Sequence, residues 1–284
     1  MYKKGTVIMG ILLGLGFILL CVIVYFLLPY SPTKTEFERL AQQNFSFTEA
    51  GGEVFSEADI ASLPLPVQRY FRHCGFIGKA KMQGMKATFK NVAFSLGRDK
   101  PTIAIDYTQY NAVAKPERIA YIDSSIYRLP FEGLDSFVAG KGSMKGVLGK
   151  MFTLFNQKGN AMGSASLVTM LSECLFVPSS ALQDYISWES IDDTHAKATI
   201  AYYNFSCSGV FTFSEEGEMI YFSTDDRMAT SMDGKMEQVR WTAHCGNYHK
   251  VDDLLLPSLM QASWNYSEGD LLYFDSDNVN IEYF

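Results

Sequence analysis

QVRWTAHC, residues 238–245, alternates without a break. Val239, Trp241, Ala243 and Cys245 fall on one side of an extended chain, and Gln238, Arg240, Thr242 and His244 on the other. Successive side chains of a strand point to opposite faces, so this is a strand with one dry and one wet face. MQASWNY, residues 260–266, repeats the pattern: Met260, Ala262, Trp264 and Tyr266 interleave with Gln261, Ser263 and Asn265. Val279, Ile281 and Tyr283 against Asn280 and Glu282 repeat it again, as do Ile103, Ile105 and Tyr107 against Ala104 and Asp106. A period of two with one polar face predicts antiparallel sheet. Glu215-Glu216-Gly217 separates VFTF from MIYF, and Asp192-Asp193 separates ISWESI from AKATIAYY. Both read as hairpin turns, with Gly217 supplying a positive φ. Strands dominate from about Lys81 onward.

Helical patterns interrupt the strands. In SLPLPVQRYFRHCG, residues 62–75, Pro66 suits a first helical position and Gly75 a C-terminal cap. Val67, Tyr70, Phe71 and Cys74 make one apolar stripe, leaving Arg69, Arg72 and His73 on a basic outer face. A second helix is expected from Ser164 to Leu175, with Leu167, Met170, Leu171, Cys174 and Leu175 as its stripe and Pro178 as its stop. Thr35 with Glu38 makes a capping box ahead of Phe37, Leu40 and Ala41, and Ser56 with Asp59 opens a further short turn. Residues 44–55 read as a linker. A twisted sheet of eight or more strands curls. The expected fold is therefore α+β: a large curved antiparallel sheet, a half-barrel, packed on two or more amphipathic helices. Residues 63–284 form one domain and residues 31–62 a juxtamembrane helix and linker.

Thr6 to Leu28 is a run of 23 residues without a charge. As a helix it spans roughly 35 Å, enough to cross a hydrocarbon core of about 30 Å. Lys3 and Lys4 precede it and Tyr25 and Tyr30 flank its far end, which predicts a single-pass span over residues 1–30 with the N-terminus in the cytoplasm and the domain outside. A cleaved signal peptide has a shorter apolar core and a small-x-small site, and Tyr30-Ser31-Pro32 is a poor one. Gly10 and Gly14 form a G-x-x-x-G pair through which two copies can dimerise.

The net charge is −7, and without Lys3 and Lys4 there remain 22 basic against 31 acidic residues. Such a domain repels nucleic acid. Aromatic residues at 14% and only nine prolines indicate a packed body. Cys74, Cys174, Cys207 and Cys245 are far apart in sequence. A Cys207–Cys245 bridge across strands and buried free thiols are both open, the thiols being the expected state.

No G-x-S-x-G, H-E-x-x-H, phosphate loop or complete calcium loop is present. His244, Cys245 and His249 are the one close set of metal-ligand types and lack further ligands, so no catalytic site, metal or cofactor is expected. Glu173 borders the apolar stripe of the second helix, and Arg227 follows Asp225-Asp226; a carboxylate beside a buried helix face pairs with an arginine. Residues 136–172 hold no Asp or Glu but four lysines, among them Lys141, Lys145 and Lys150, interspersed with Phe152, Phe155 and other apolar residues. In an acidic chain this segment is expected to meet anionic lipid headgroups or to cover an apolar pocket.

LPLPVQRYFRHCG resembles the opening signature, L-P-x-P-V-x-R-Y-x-R-H-x-G, of a family of bacterial proteins of unknown function. The resemblance continues in Leu171, Glu173, Pro178 and Trp188, then in Gly217, Arg227, Tyr248, Pro257 and Trp264, and covers residues 63–284. Cys74 stands where a small residue is expected. The family carries no activity to transfer. In architecture, the half-barrel with inner helices resembles periplasmic lipoprotein carriers. The expectation is a membrane-tethered binding module for a lipid, another hydrophobic ligand or a lipidated partner, with Arg69, Arg72, His73, Glu173 and Arg227 as polar contacts. The alternatives are a protein-interaction scaffold in the envelope and, more remotely, an enzyme.

Overall fold

The structure is a computed structural model that describes residues 2–45, 52–98, 100–230 and 234–284. Its first element is a helix, α1 (Tyr2–Leu27), within which Val7–Phe26 is long and apolar enough to cross a membrane and is not buried against the rest of the chain. The side chains of Lys3 and Lys4 and half of the expected 44–55 linker, residues 46–51, lie outside the described residues. Four helices follow: α2 (Pro32–Asn44), α3 (Glu57–Ile60), α4 (Leu65–His73) and α5 (Asn160–Glu173).

The first half of the sheet is a meander: β1 (Gly84–Ser95), β2 (Thr102–Ala112), β3 (Arg118–Ile126), β4 (Leu129–Val138), β5 (Lys141–Leu148) and β6 (Phe152–Lys158). After α5 come β7 (Ile186–Ser190), β8 (His195–Tyr202), β9 (Phe205–Phe213) and β10 (Met219–Thr224). β11 (Met228–Thr230) and β12 (Met236–Gln238) pair only with each other. The chain ends in β13 (Arg240–Val251), β14 (Leu254–Tyr266), β15 (Gly269–Ser276) and β16 (Val279–Tyr283). The main sheet has 14 strands in the order β6-β5-β4-β3-β2-β1-β15-β14-β13-β10-β9-β8-β7, with β16 also on β1. Every pair is antiparallel, and β1–β15 joins the two meanders.

Neighbouring strands twist by roughly 20–25° each, so a sheet this wide coils on itself. Its two ends meet over α5, which packs on β4, β5 and β6 from one side and on β8 and β9 from the other. Phe137 of β4 and Phe205 of β9 close that seam with ring centroids 6.2 Å apart. The approach is close because glycine lines it: a Cβ on Gly142 would run into the backbone of Met162 and Gly163. The result is the expected half-barrel. α5 is enclosed beyond its expected stripe, since Gly163, Ser166, Val168 and Ser172 are buried with Leu167 and Leu171. The 136–172 segment is thus a hairpin followed by an internal helix.

α4 caps the end of the core marked by the β13–β14 turn. Val67, Tyr70, Phe71 and Cys74 are fully buried, and the Tyr70 hydroxyl donates to the Leu175 carbonyl at 2.8 Å. Gly75, at φ +81°, lets the chain turn there, and Gly217, at φ +115°, makes the predicted hairpin turn beside Arg69. Ser56 and Asp59 form the predicted capping box, but Thr35 does not start α2. Ser31 does, with Pro32 in the first turn, and α2 begins a turn earlier than expected. α2 lies on the outer face of the sheet, where Phe37, Ala41 and Phe45 pack on Tyr110, Ile119, Tyr121 and Leu134. Phe55 and Ile60 belong to the main core, so the packed body starts well before residue 63. All five cysteines are free thiols. A Cys207–Cys245 bridge is excluded by topology, because β10 lies between β9 and β13. Burial pushes the Cys207 thiol up to about 12.

Candidate functional site

Strand periodicity puts Tyr107, Gln109 and Asn111 of β2, Arg118 of β3 and Asp135 of β4 on the inner face, beneath the C-terminal end of α5. Arg118 is only 3% exposed. Its Nη1 donates to Asp135 Oδ2 at 2.5 Å and its Nη2 to the Tyr107 hydroxyl at 2.6 Å. Its Nε lies 3.6 Å from Glu173 Oε2, which also accepts a 2.7 Å hydrogen bond from Asn111 Nδ2. A carboxylate at a helix C-terminus opposes the helix dipole, and Arg118 offsets this. Burial raises the Tyr107 hydroxyl well above its ordinary value, with the Arg118 charge acting against the rise. Asn111 Oδ1 and Asp135 Oδ1 are buried with no hydrogen-bond partner among the described residues. The cluster ties α5 to three strands. It contains no nucleophile–base pair.

One helical turn back, Thr169 Oγ1 accepts from Arg227 Nη1 at 2.9 Å. The Arg227 guanidinium lies over the rings of Trp241, 4.6 Å from the centroid, and Trp264, at 5.6 Å. Glu173 and Arg227 therefore do not pair with each other: Arg118 takes the carboxylate and the two tryptophans take the arginine. Trp264 stacks on Tyr273, whose hydroxyl accepts from Trp241 Nε1 at 3.0 Å. Phe94, Ile103, Ile126, Trp264 and Tyr273 of the inner face stay half-buried. Arg98 stacks on Tyr266 at 3.3 Å and reaches Glu237 and Glu268, so the loop after β1 and the β11–β12 pair border this stretch.

Arg69, Arg72 and His73 are not brought to the same place. They sit on α4 at the other end of the core. Arg72 makes a bidentate ion pair with Glu57 at 2.7–3.0 Å, and His73 lies 3.8 Å from Glu218. Both fasten the α4 surface. Arg69 is half-buried, with Nε and Nη2 unpartnered among the described residues.

The lysine-rich hairpin divides. Lys145 faces outward and pairs with Glu36 of α2, Phe155 packs into the core, and Lys141 lies at the opposite end of β5 from the tip. Lys150 and Phe152 are at the tip, beside the end of α1: Lys150 Nζ donates to the Leu28 carbonyl at 2.7 Å, and the Phe26 ring lies against Gly149. His244 Nδ1 is 2.9 Å from Gln261 Oε1 and the ring stacks on Tyr221, while Cys245 points to the opposite, buried face. Among the described residues no three His, Cys, Asp or Glu side chains are grouped as metal ligands. Two open grooves mark the surface of those residues. One, of about 180 Å³, is lined by Lys197, Ser208, Asp226 and Arg240; the other, of about 300 Å³, surrounds Tyr30 and Lys34.

A buried carboxylate escaped the sequence reading. Glu132 of β4, 4% exposed, points outward beneath α2. It accepts from the Tyr121 hydroxyl at 2.6 Å and from Ser31 Oγ at 2.7 Å. Burial, followed by that bond, pushes the Tyr121 hydroxyl well above its ordinary value. Arg118, Asp135 and Glu132 were missed because their partners lie on other strands and helices, out of reach of any local pattern. The available signal was Ile119-Ala120-Tyr121-Ile122, apolar on both faces, which marks a strand covered on both sides.

One family profile matches residues 53–276, most of the chain. The chain belongs to DUF6544, a family of unknown function. For this DUF6544 member the family match bears out the expected kinship and spans residues 63–75, but it does not itself show the signature expected there. No curated protein matches the chain. Two of the solved structures similar to it illustrate the likeness. One is a domain described as an outer membrane lipoprotein-sorting protein from Vibrio parahaemolyticus, at 10% identity and a TM-score of 0.36, covering 71% of this chain and 84% of that one. The other is a LolA superfamily protein from Nitrosomonas europaea, at 9% identity and a TM-score of 0.38, covering 76% and 91%.

Proposed function

We propose that this DUF6544 chain is a membrane-tethered, extracytoplasmic binding module that takes a hydrophobic ligand, such as a lipid acyl chain, on the inner face of its sheet. The observation that carries this reading is the contrast within that face. Most of it is sealed beneath α4 and α5, but Phe94, Ile103, Ile126, Trp264 and Tyr273 stay half-buried. Aromatic and aliphatic residues left wet on a concave face are what an apolar ligand covers. Arg227, seated on the two tryptophans, is the polar group best placed to orient a ligand headgroup there. α1 supplies the tether, and Gly10 and Gly14, with open space at both, accept the helix of a second copy. The module binds and carries out no reaction. The test is to photolabel the full chain in lipid nanodiscs with a diazirine-bearing phospholipid and map the labelled peptides. Label on β1, β14 and β15 is expected. Label confined to α1 and the hairpin tips beside it overturns the reading.

The free edge strand β6, with Phe152 and Leu154 exposed, favours a second reading in which an envelope protein adds a strand there. Cross-linking from β6 to a stoichiometric protein, with no lipid label on the inner face, selects it.

A further inference from the structure

We infer that two neighbouring hairpin tips, the β3–β4 turn and the β5–β6 turn, form a docking foot that rests on the surface of the bilayer spanned by α1. The inference rests on the tether reading above and not on the ligand reading. Four observations carry it.

First, the tips are one surface. Gly149 N donates to the Pro130 carbonyl at 2.7 Å, and Phe131 pairs with Leu148. Second, that surface is continuous with the end of α1. Lys150 donates to carbonyls that α1 leaves open, and Phe26 lies on Gly149. Third, its composition is wrong for water and right for a headgroup layer. Tyr127 is 94% exposed and Phe152 63%, with Leu129 and Met151 exposed beside them and Arg128 and Lys150 between. Aromatic rings and cations flanking a span favour the interface, and anionic headgroups attract the cations. Fourth, the β3–β4 turn needs positive φ at both central residues, +51° at Tyr127 and +66° at Arg128. Asn-Gly adopts that turn with little strain. The bulky Tyr-Arg pair is left in solvent, Tyr127 and Arg128 both being exposed, so packing inside the protein does not offset the strain.

The domain is held so that the foot cannot swing away. Ser31, four residues after α1, caps α2 and donates to buried Glu132. α2 then runs along the outer face from Glu36, beside Lys145, to Phe45, beside Tyr110 at the other end of β2. Val54, exposed and bridged to Ala80, lies beyond that end.

The experiment uses the full chain reconstituted into vesicles of phosphatidylcholine with phosphatidylglycerol, with or without brominated acyl chains. Met151→Trp and Leu129→Trp are read as difference emission against the unaltered chain, which removes the signal of Trp188, Trp241 and Trp264. Both variants are expected to emit to the blue and to lose emission to brominated lipid, while Val54→Trp does neither. Omitting phosphatidylglycerol, or adding Arg128→Glu, is expected to weaken the quenching of both. Solvent-like, unquenched difference emission from both tip variants overturns the foot, as does quenching of Val54→Trp equal to theirs. Quenching of the unaltered chain reports on the tryptophans of the inner face, so failure of the ligand reading is seen separately.

Discussion

Carboxylates are held against each face of the sheet, half-buried on the inner face and buried on the outer, and they are stabilised differently. On the inner face Glu173 and Asp135 share the Arg118 guanidinium, with Asn111 completing the set. On the outer face Glu132 has only two hydroxyl donors, Tyr121 and Ser31, and no ion pair among the described residues. A buried ion cluster stands or falls with its charges, because one partner left alone keeps its whole desolvation cost. A carboxylate held by hydroxyls is a hydrogen-bonding device, and its loss costs only the bonds it made. The inner cluster is therefore a keystone of the half-barrel, and the outer one is a clasp between α1 and the domain.

The largest expected effect comes from removing the shared cation. Arg118→Met leaves two half-buried carboxylates and no cation between them, and is expected to cost about 3 kcal/mol, read by denaturant unfolding of the full chain in detergent. Glu132→Leu leaves two buried hydroxyls without an acceptor and is expected to cost about 1–3 kcal/mol in the same assay. A larger loss from Glu132→Leu than from Arg118→Met breaks the comparison.

Alkaline pH sharpens it. Tyr107 and Tyr121 both have folded-state values raised above the ordinary 10.0, so the stability they contribute is present below pH 10 and is lost as pH rises past it. The Arg118 charge opposes the rise at Tyr107, whereas the Glu132 hydrogen bond adds to it at Tyr121. The melting temperature should fall between about pH 9 and about pH 11, and Tyr121→Phe and Tyr107→Phe should each flatten that fall. The smallest effect belongs to the half-exposed pair that pins α2 to β5. Lys145→Ala is expected to cost at most about 1 kcal/mol, because water already screens the Lys145–Glu36 contact.

The outer coat of this fold was legible and its inner wiring was not. Alternation at Val239–Cys245 and Met260–Tyr266 is a property of one strand, readable from that strand alone, and both segments pair in the structure as β13 and β14. The stripe of α4 is equally local, and all four of its residues are fully buried. Arg118 is different. Its meaning depends on Asp135 17 residues on, on Glu173 55 residues on and on the coil of a 14-stranded sheet that brings α5 over β3. No window of sequence contains those partners. The same holds for the tip residues. Lysines at 141, 145 and 150 look alike in a charge run, yet strand direction and the position of α2 send one to the opposite end of β5, one to Glu36 and one to the end of α1.

The clasp at Ser31 has a consequence for reach. Only residues 28–31 separate α1 from α2, a stretch that extends to roughly 14 Å at most. Whatever holds α1 keeps the whole half-barrel within that distance, at one height and without slack. On the tether reading proposed above, such a protein cannot sweep a volume. It samples a plane, and the molecules it meets are those that travel in that plane or are carried down to it.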